Sequence, residues 1–114
     1  GLAVLEDLDD DTPLFDLRLA EDVRGQGLGA PVLRALTRET FRRYPHVQRF
    51  EGVTRWDNVA MRRTFRRAGW VKEAHYRSAW PVPGGEPVDT IGYAMLRGDL
   101  EQGTTTPVLW DEEP

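Results

Sequence analysis

The stretch Arg24-Gly25-Gln26-Gly27-Leu28-Gly29 decides how this chain is read. A strand-like run, Leu14 to Ala20, precedes it, and a helix-like run, Ala30 to Tyr44, follows it. Three glycines at a strand–helix junction let several backbone N–H groups turn toward one point. A side chain at Gly27 or Gly29 would obstruct that approach. The N-terminus of the following helix adds partial positive charge. Such a junction suits a phosphate or pyrophosphate. It can also be a plain turn.

Upstream, Gly1 to Leu8 reads as a short strand and Asp9 to Pro13 as an acidic turn. Leu14 to Ala20 alternates, with Phe15, Leu17 and Leu19 on one face and Asp16 and Arg18 on the other. That period belongs to a half-exposed antiparallel strand. Downstream, Pro31 suits the first turn of a helix, and Leu33, Leu36, Thr40 or Phe41, and Tyr44 recur at helical spacing. Pro45 stops that helix. Val47 to Thr54 is the next strand, parallel to the second through the helical crossover. Asp57 or Asn58 caps a second helix, Val59 to Ala68, which buries Met61 and Phe65 and ends at Gly69. Val71 to Trp80 and Val88 to Leu96 form a hairpin around residues 83–86. The order is β-β-α-β-α-β-β, an α/β chain of mixed strand direction. Residues 1–100 make one domain, and 101–114 form a loose acidic tail in which Trp110 can dock on the body.

Composition narrows the function classes. A chain of 114 residues with 39% hydrophobic and 30% charged content reads as one globular domain, not a disordered segment. No apolar run reaches the ~18 residues of a membrane helix, and no signal-peptide pattern is visible. The absence of cysteine excludes disulfides, thiolate nucleophiles and thiolate metal sites, and is compatible with the cytoplasm, the expected location. A net charge of −4 argues against a nucleic-acid surface. His46 and His75 have no partner at metal spacing, so no metal site is expected.

Three phosphate readings compete. A P-loop needs Gly-Lys-Ser/Thr, which is absent. A dinucleotide fold needs G-x-G-x-x-G/A, which Gly25 to Ala30 matches, with Glu51 at about the ribose-binding distance. Against it, the preceding strand alternates polar residues, and four residues separate Ala20 from Gly25. The third reading is a resemblance. Arg24-x-x-Gly27-x-Gly29 after an antiparallel strand resembles the acyl-CoA pyrophosphate loop of the GNAT (N-acetyltransferase) superfamily. Asn58-x-x-Met61-x-x-x-Phe65-x-x-x-Gly69-Trp70 resembles the GNAT segment with an Asn, a Tyr seven residues on and a terminal Gly-Phe. Glu73 to Arg77 and Asp89 to Arg97 look like the branch that acetylates protein N-termini, including those of ribosomal proteins.

The resemblance spans roughly Leu2 to Leu100. It implies a GNAT-like mixed sheet whose strand before the loop splays from the next parallel strand. The pantetheine arm of acetyl-CoA, the co-substrate, would enter that gap. Leu17, Arg18 and Leu19 would line the arm. Arg24, Gly25, Gln26, Gly27, Leu28, Gly29 and Ala30 would hold the pyrophosphate. Asn58 would bond the far part of the arm, in addition to any capping role. Arg62, Arg63, Arg66 and Arg67 could reach a 3′-phosphate, although a solvated helix face accounts for most of them. The implied reaction is acetyl transfer from acetyl-CoA to an amine acceptor, a small molecule or a protein N-terminus.

Related enzymes often place a Glu five residues before the Asn and a Tyr seven after it. Here those positions hold Val53 and Phe65, neither of which carries a proton. A lysine amine costs roughly 4–5 kcal/mol to deprotonate at pH 7, an α-amino group only about 1 kcal/mol. A weakly basic amine, such as a protein N-terminus, is therefore the expected acceptor. Glu51, two residues before Val53 on the same strand face, is the substitute base, with Asp11 as competitor and a solvated strand residue as the plain alternative. Trp56, near Asn58, is the best aromatic platform for the acceptor; Trp70 and Trp80 read as core or rim.

The family's domain normally begins with a strand, two helices and another strand, which this sequence lacks ahead of Leu2. The first strand would then present an open edge, expected to pair with a second copy or a partner chain. Two alternatives remain: a non-catalytic acyl-CoA-binding or interaction module, and a dinucleotide-binding unit.

Overall fold

A computed structural model describes residues 2–6, 14–18 and 29–110, with side chains from residue 29 onward. The strands are β1 (Leu2–Glu6), β2 (Leu14–Arg18), β3 (Arg49–Arg55), β4 (Val71–Trp80) and β5 (Val88–Leu96). They form one sheet in the order β1-β2-β3-β5-β4. The β1–β2, β3–β5 and β4–β5 pairs are antiparallel and β2–β3 is parallel. Helix α1 (Gly29–Arg43) joins β2 to β3, and α2 (Val59–Arg67) joins β3 to β4. This is the expected β-β-α-β-α-β-β order. A short helix that the sequence reading did not contain, α3 (Arg97–Gln102), follows it.

Helix α1 forms because Ala30, Leu33, Thr37, Thr40 and Phe41 recur on one buried stripe. The buried hydroxyls of Thr37 and Thr40 donate back to the Leu33 and Leu36 carbonyls at 2.6 and 2.9 Å, so neither is an orphan polar group. Past its end, the Arg97 guanidinium donates to the carbonyls of Val47 (2.7 Å), Phe41 (2.8 Å) and Tyr44 (2.9 Å). Cationic donors at this end satisfy orphan carbonyls and oppose the helix dipole.

Helix α2 begins at the expected cap: Asn58 Oδ1 accepts from the Met61 N–H at 3.0 Å. It ends where Gly69 turns to φ +88°. There the Gly69 N–H donates to the Arg66 carbonyl and the Trp70 N–H to the Phe65 carbonyl, a Schellman close. Side chains of α1 and α2 pack on one sheet face, where Phe50, Trp70, Ile91, Tyr93 and Met95 complete the core. Phe65 stacks on Tyr93 with centroids 4.7 Å apart and tilts against Trp70 at 5.1 Å.

The segment after α3 is held at Asp99. Its carboxylate accepts from the hydroxyls of Thr104 (2.9 Å) and Thr106 (2.7 Å) and from the Thr106 N–H (3.1 Å). The Thr106 hydroxyl, ahead of the other two donors, holds the Asp99 carboxyl below the usual carboxylate range. Further on, Lys72 Nζ lies 5.2 Å above the ring of Trp110.

Candidate functional site

The sheet opens between β2 and β3. These strands pair at only Leu14↔Glu51 and Phe15↔Gly52. Yet β2 continues against β1 as far as Arg18, and β3 continues against β5 as far as Arg55. Residues 16–18 and 53–55 therefore border an opening with no described pairing across it. Register sets which backbone groups face it. Trp56 N–H donates to the Asp89 carbonyl and Arg97 N–H to the Gln48 carbonyl, so the even-numbered residues of β3 bond toward β5. The odd-numbered ones, Val53 and Arg55, direct their backbone groups at the opening. The Arg55 carbonyl is taken by the Asn58 N–H at 3.1 Å.

Leu17 and Arg18 lie on β2 along the far rim of the opening. Gly29 and Ala30 are the first residues of α1 and are buried. Asn58 stands at the start of α2, just past the β3 rim, with Oδ1 spent on the cap and its amide nitrogen bonded to no described residue. Leu19, Arg24, Gly25, Gln26, Gly27, Leu28 and the competing base Asp11 lie outside the described residues.

Val59, Arg62, Arg63, Arg66 and Arg67 form one stripe of α2 at helical spacing and line an open cavity of about 530 Å³. Arg62 is committed, stacking over Trp56 at 4.4 Å and donating to the Trp56 carbonyl and the Tyr93 hydroxyl. Among the described residues, no carboxylate pairs with Arg63, Arg66 or Arg67. The sequence reading gave most of this stripe to solvent. The cavity is the feature that sequence spacing does not reveal.

Val53 is 39% exposed beside the opening, whereas Phe65 is 2% exposed and locked in the aromatic core. Register puts Arg49, Glu51 and Val53 on the sheet face away from the helices, beside Ala94 and Gly92 of β5. Together with Glu73, Ala74 and Tyr76 of β4 they line a recess of about 160 Å³. Arg49 Nη2 donates to Glu51 Oε1 at 2.7 Å, and both terminal nitrogens of Arg49 donate to Glu73 Oε1 at 2.8 Å. Burial opposes the Arg49 charge, but the Glu73 and Glu51 bonds together raise its proton affinity above the ordinary arginine value. Sequence reasoning missed Arg49 and Glu73 as neighbours of Glu51; two acids and an arginine near one strand pair were the available signal.

Trp56 lies on the helix side, against Arg62 and 5.3 Å from the His75 ring, so it is not a wall of the Glu51 recess. Trp70 is core. His75 Nε2 bonds Asp89 Oδ2 at 2.7 Å, and this contact, ahead of the Ser78 N–H, lowers the Asp89 carboxyl below its usual range. Among the described residues, no three His, Cys, Asp or Glu side chains gather as a metal site. No described helix is long and apolar enough to cross a membrane.

No protein-family model matches the chain. Among solved structures it is similar to the spermidine N-acetyltransferase SpeG of Vibrio cholerae, with TM-score 0.77 and 16% identity over 88% of this chain and 59% of that one. It is similar to RimL, a ribosomal-protein alpha-N-acetyltransferase solved with coenzyme A, with TM-score 0.68 and 25% identity over 80% of this chain and 50% of that one. It is also similar to a GNAT-family acetyltransferase of Bacillus anthracis, with TM-score 0.69 and 18% identity over 82% and 56%. These neighbours are GNAT acetyltransferases, and the chain has their fold. It spans about 50–59% of their lengths.

Proposed function

We propose that this chain, which has the GNAT acetyltransferase fold, binds acetyl-CoA between β2 and β3 and moves its acetyl group to an amine. The observation that carries the reading is the opening after Phe15↔Gly52, bordered by the backbone of Val53 and Arg55. An amide-bearing arm can take the place of a missing strand there, bonding the backbone groups of Val53 and the Arg55 N–H, while the Arg55 carbonyl is held by Asn58. Arg63, Arg66 and Arg67 of the α2 stripe, which pair with no carboxylate among the described residues, offer their guanidinium groups to a polyanion, matching the phosphates of CoA. The glycine loop, Arg24 to Gly29, runs into α1, whose first residue is Gly29, and supplies the pyrophosphate contacts.

In this mechanism the acceptor amine enters beside Val53 and attacks the thioester carbonyl. The new C–N bond forms as the C–S bond breaks, and the proton that the attacking nitrogen then sheds is relayed through water to the leaving thiolate. The surplus ammonium proton passes to Glu51, two residues back along β3 on the same face. Removing it from an α-amino group costs only about 1 kcal/mol at pH 7, so a protein N-terminus or similarly weak base is the fitting acceptor. Val53 and Phe65 support a second reading, a non-catalytic acyl-CoA-binding module, because neither side chain can move a proton. β1 is an edge of the described sheet, where a second copy or partner chain would add a strand; sedimentation as a stable monomer at micromolar concentration would oppose that.

Calorimetric titration with acetyl-CoA, CoA and NAD, paired with thiol release on acceptor peptides, tests the proposal. Acetyl-CoA binding with thiol release supports the transferase, and binding without release supports the module. Affinity for NAD alone would replace both with a dinucleotide unit.

A further inference from the structure

One guanidinium serves two carboxylates on the open sheet face. Glu73 engages both terminal nitrogens of Arg49 through Oε1, at 2.8 Å each, whereas Glu51 holds only Nη2, at 2.7 Å. The three side chains are partly buried, so solvent screens them incompletely. A register shift between Lys72 and Ala74 sets Glu73 out of the regular β4–β5 ladder. The floor beneath is made of small residues: a Cβ on Gly92 would meet the Ala74 Cβ at 3.2 Å. The charged groups are thus crowded together while the recess stays open toward Val53.

We propose that Glu73, acting through Arg49, is a positioning residue that sets the basicity of Glu51 at the edge of the acyl-CoA opening. The proposal rests on the reading of Glu51 as proton acceptor. Arg49 turned wholly to Glu51 would grip it with its planar fork and make it a poor base. Glu73 holds that fork, leaving Glu51 one bond and a fixed direction. Tyr76 on β4 is a further titratable side chain lining the recess, whereas Arg55, four residues along β3, is tied to Asp57. The neighbouring strand β2 carries Asp16 and Arg18. The adjacent open-face residues of β5, Gly92 and Ala94, bring no charge.

The two partners of Glu51 therefore act with opposite signs. Without Glu73, Arg49 is free for Glu51 and the Glu51 carboxyl becomes more acidic. Without Arg49, two carboxylates confront each other and Glu51 becomes less acidic. The test is a carbon-13 carboxyl titration of Glu51 in the full chain, wild type against Glu73→Gln and Arg49→Gln. The acid limb of kcat/KM is measured alongside. Glu73→Gln is expected to lower the Glu51 midpoint by roughly half to one pH unit, and Arg49→Gln to raise it by about one. Glu73→Asp should return it toward wild type. The kinetic limb should follow both directions, with kcat of Glu73→Gln down about threefold and KM within twofold.

Midpoints that stay put, or move together in both variants, overturn the proposal even where Glu51→Gln abolishes turnover. An unchanged rate and pH profile in Glu51→Gln would instead remove Glu51 from the reaction. Failure of the wild-type chain to bind acetyl-CoA would remove the transferase reading itself. Acetyl-CoA affinity and melting temperature near wild type in Glu73→Gln separate a local effect from misfolding.

Discussion

Replacing Arg97 with Ala should be among the most damaging single changes in this chain. The side chain crosses from the start of α3 to the end of α1 and donates to three carbonyls, at 2.7, 2.8 and 2.9 Å. It also lies 4.8 Å over the Phe41 ring and is only 19% exposed. A hydrogen bond to a charged group is worth roughly 1.5–3 kcal/mol when removed. Water can reach part of the vacated space and recover some of that. The three bonds and the lost ring contact then amount to about 3–4 kcal/mol. For a domain of this size each kcal/mol moves the melting temperature by about 4 °C, so a drop of roughly 12–16 °C is expected. Arg97→Lys keeps the charge at the helix end but not the three-pronged reach, and should recover about a third. Glu101→Gln, which removes only the 3.6 Å exposed pair, should cost less than about 0.5 kcal/mol. Urea unfolding followed by circular dichroism measures all three. A loss below about 1 kcal/mol for Arg97→Ala at unchanged m value would refute the claim that this residue ties α1, the segment ahead of β3 and α3 together.

Phe65→Ala removes the ring stacked on Tyr93 and should cost about 3–5 kcal/mol in a urea melt. Asp99 has its folded-state carboxyl affinity held down by Thr106 and Thr104, so its stabilisation is present above the unfolded carboxylate value and fades as pH falls through the lower folded one. Stability measured from pH 6 to pH 2 should show an acid loss that Asp99→Asn lacks. Asn58→Ala should cost about 1 kcal/mol through the lost cap, and calorimetry should show weaker CoA binding if the amide also meets the arm. Changing Arg66 and Arg67 together to Gln should weaken CoA binding several-fold at low salt and much less at high salt, with dephospho-CoA less affected.

Sequence patterning reached the scaffold because its decisive signals are local. Asn58 faces a helix N–H three residues on, and Gly69 closes the same helix, so both ends of α2 were legible. The α1 stripe and the crossover to β3 followed from Leu33, Phe41 and Pro45 in the same way. What sequence left out depends on distant partners. Arg97 meets Phe41 across 56 residues, and Arg49 meets Glu73 across 24. No periodicity encodes either contact. Short α3 carries no apolar stripe of its own and is fixed by Arg97 and Asp99. Trp56 stood close to Asn58 in sequence, but the alternation of β3 turns it to the helix side, opposite Glu51.

Backbone amide NMR during addition of acetyl-CoA would locate the thioester arm, because Val53 and Arg55 border the opening and report on whatever enters it. Their amide signals should shift saturably at one equivalent, while amides buried between β3 and β5, such as Thr54, move little. NAD should leave all of them in place. Unmoved Val53 and Arg55 signals at saturating acetyl-CoA, or equal shifts with NAD, would contradict the placement of a thioester arm between β2 and β3.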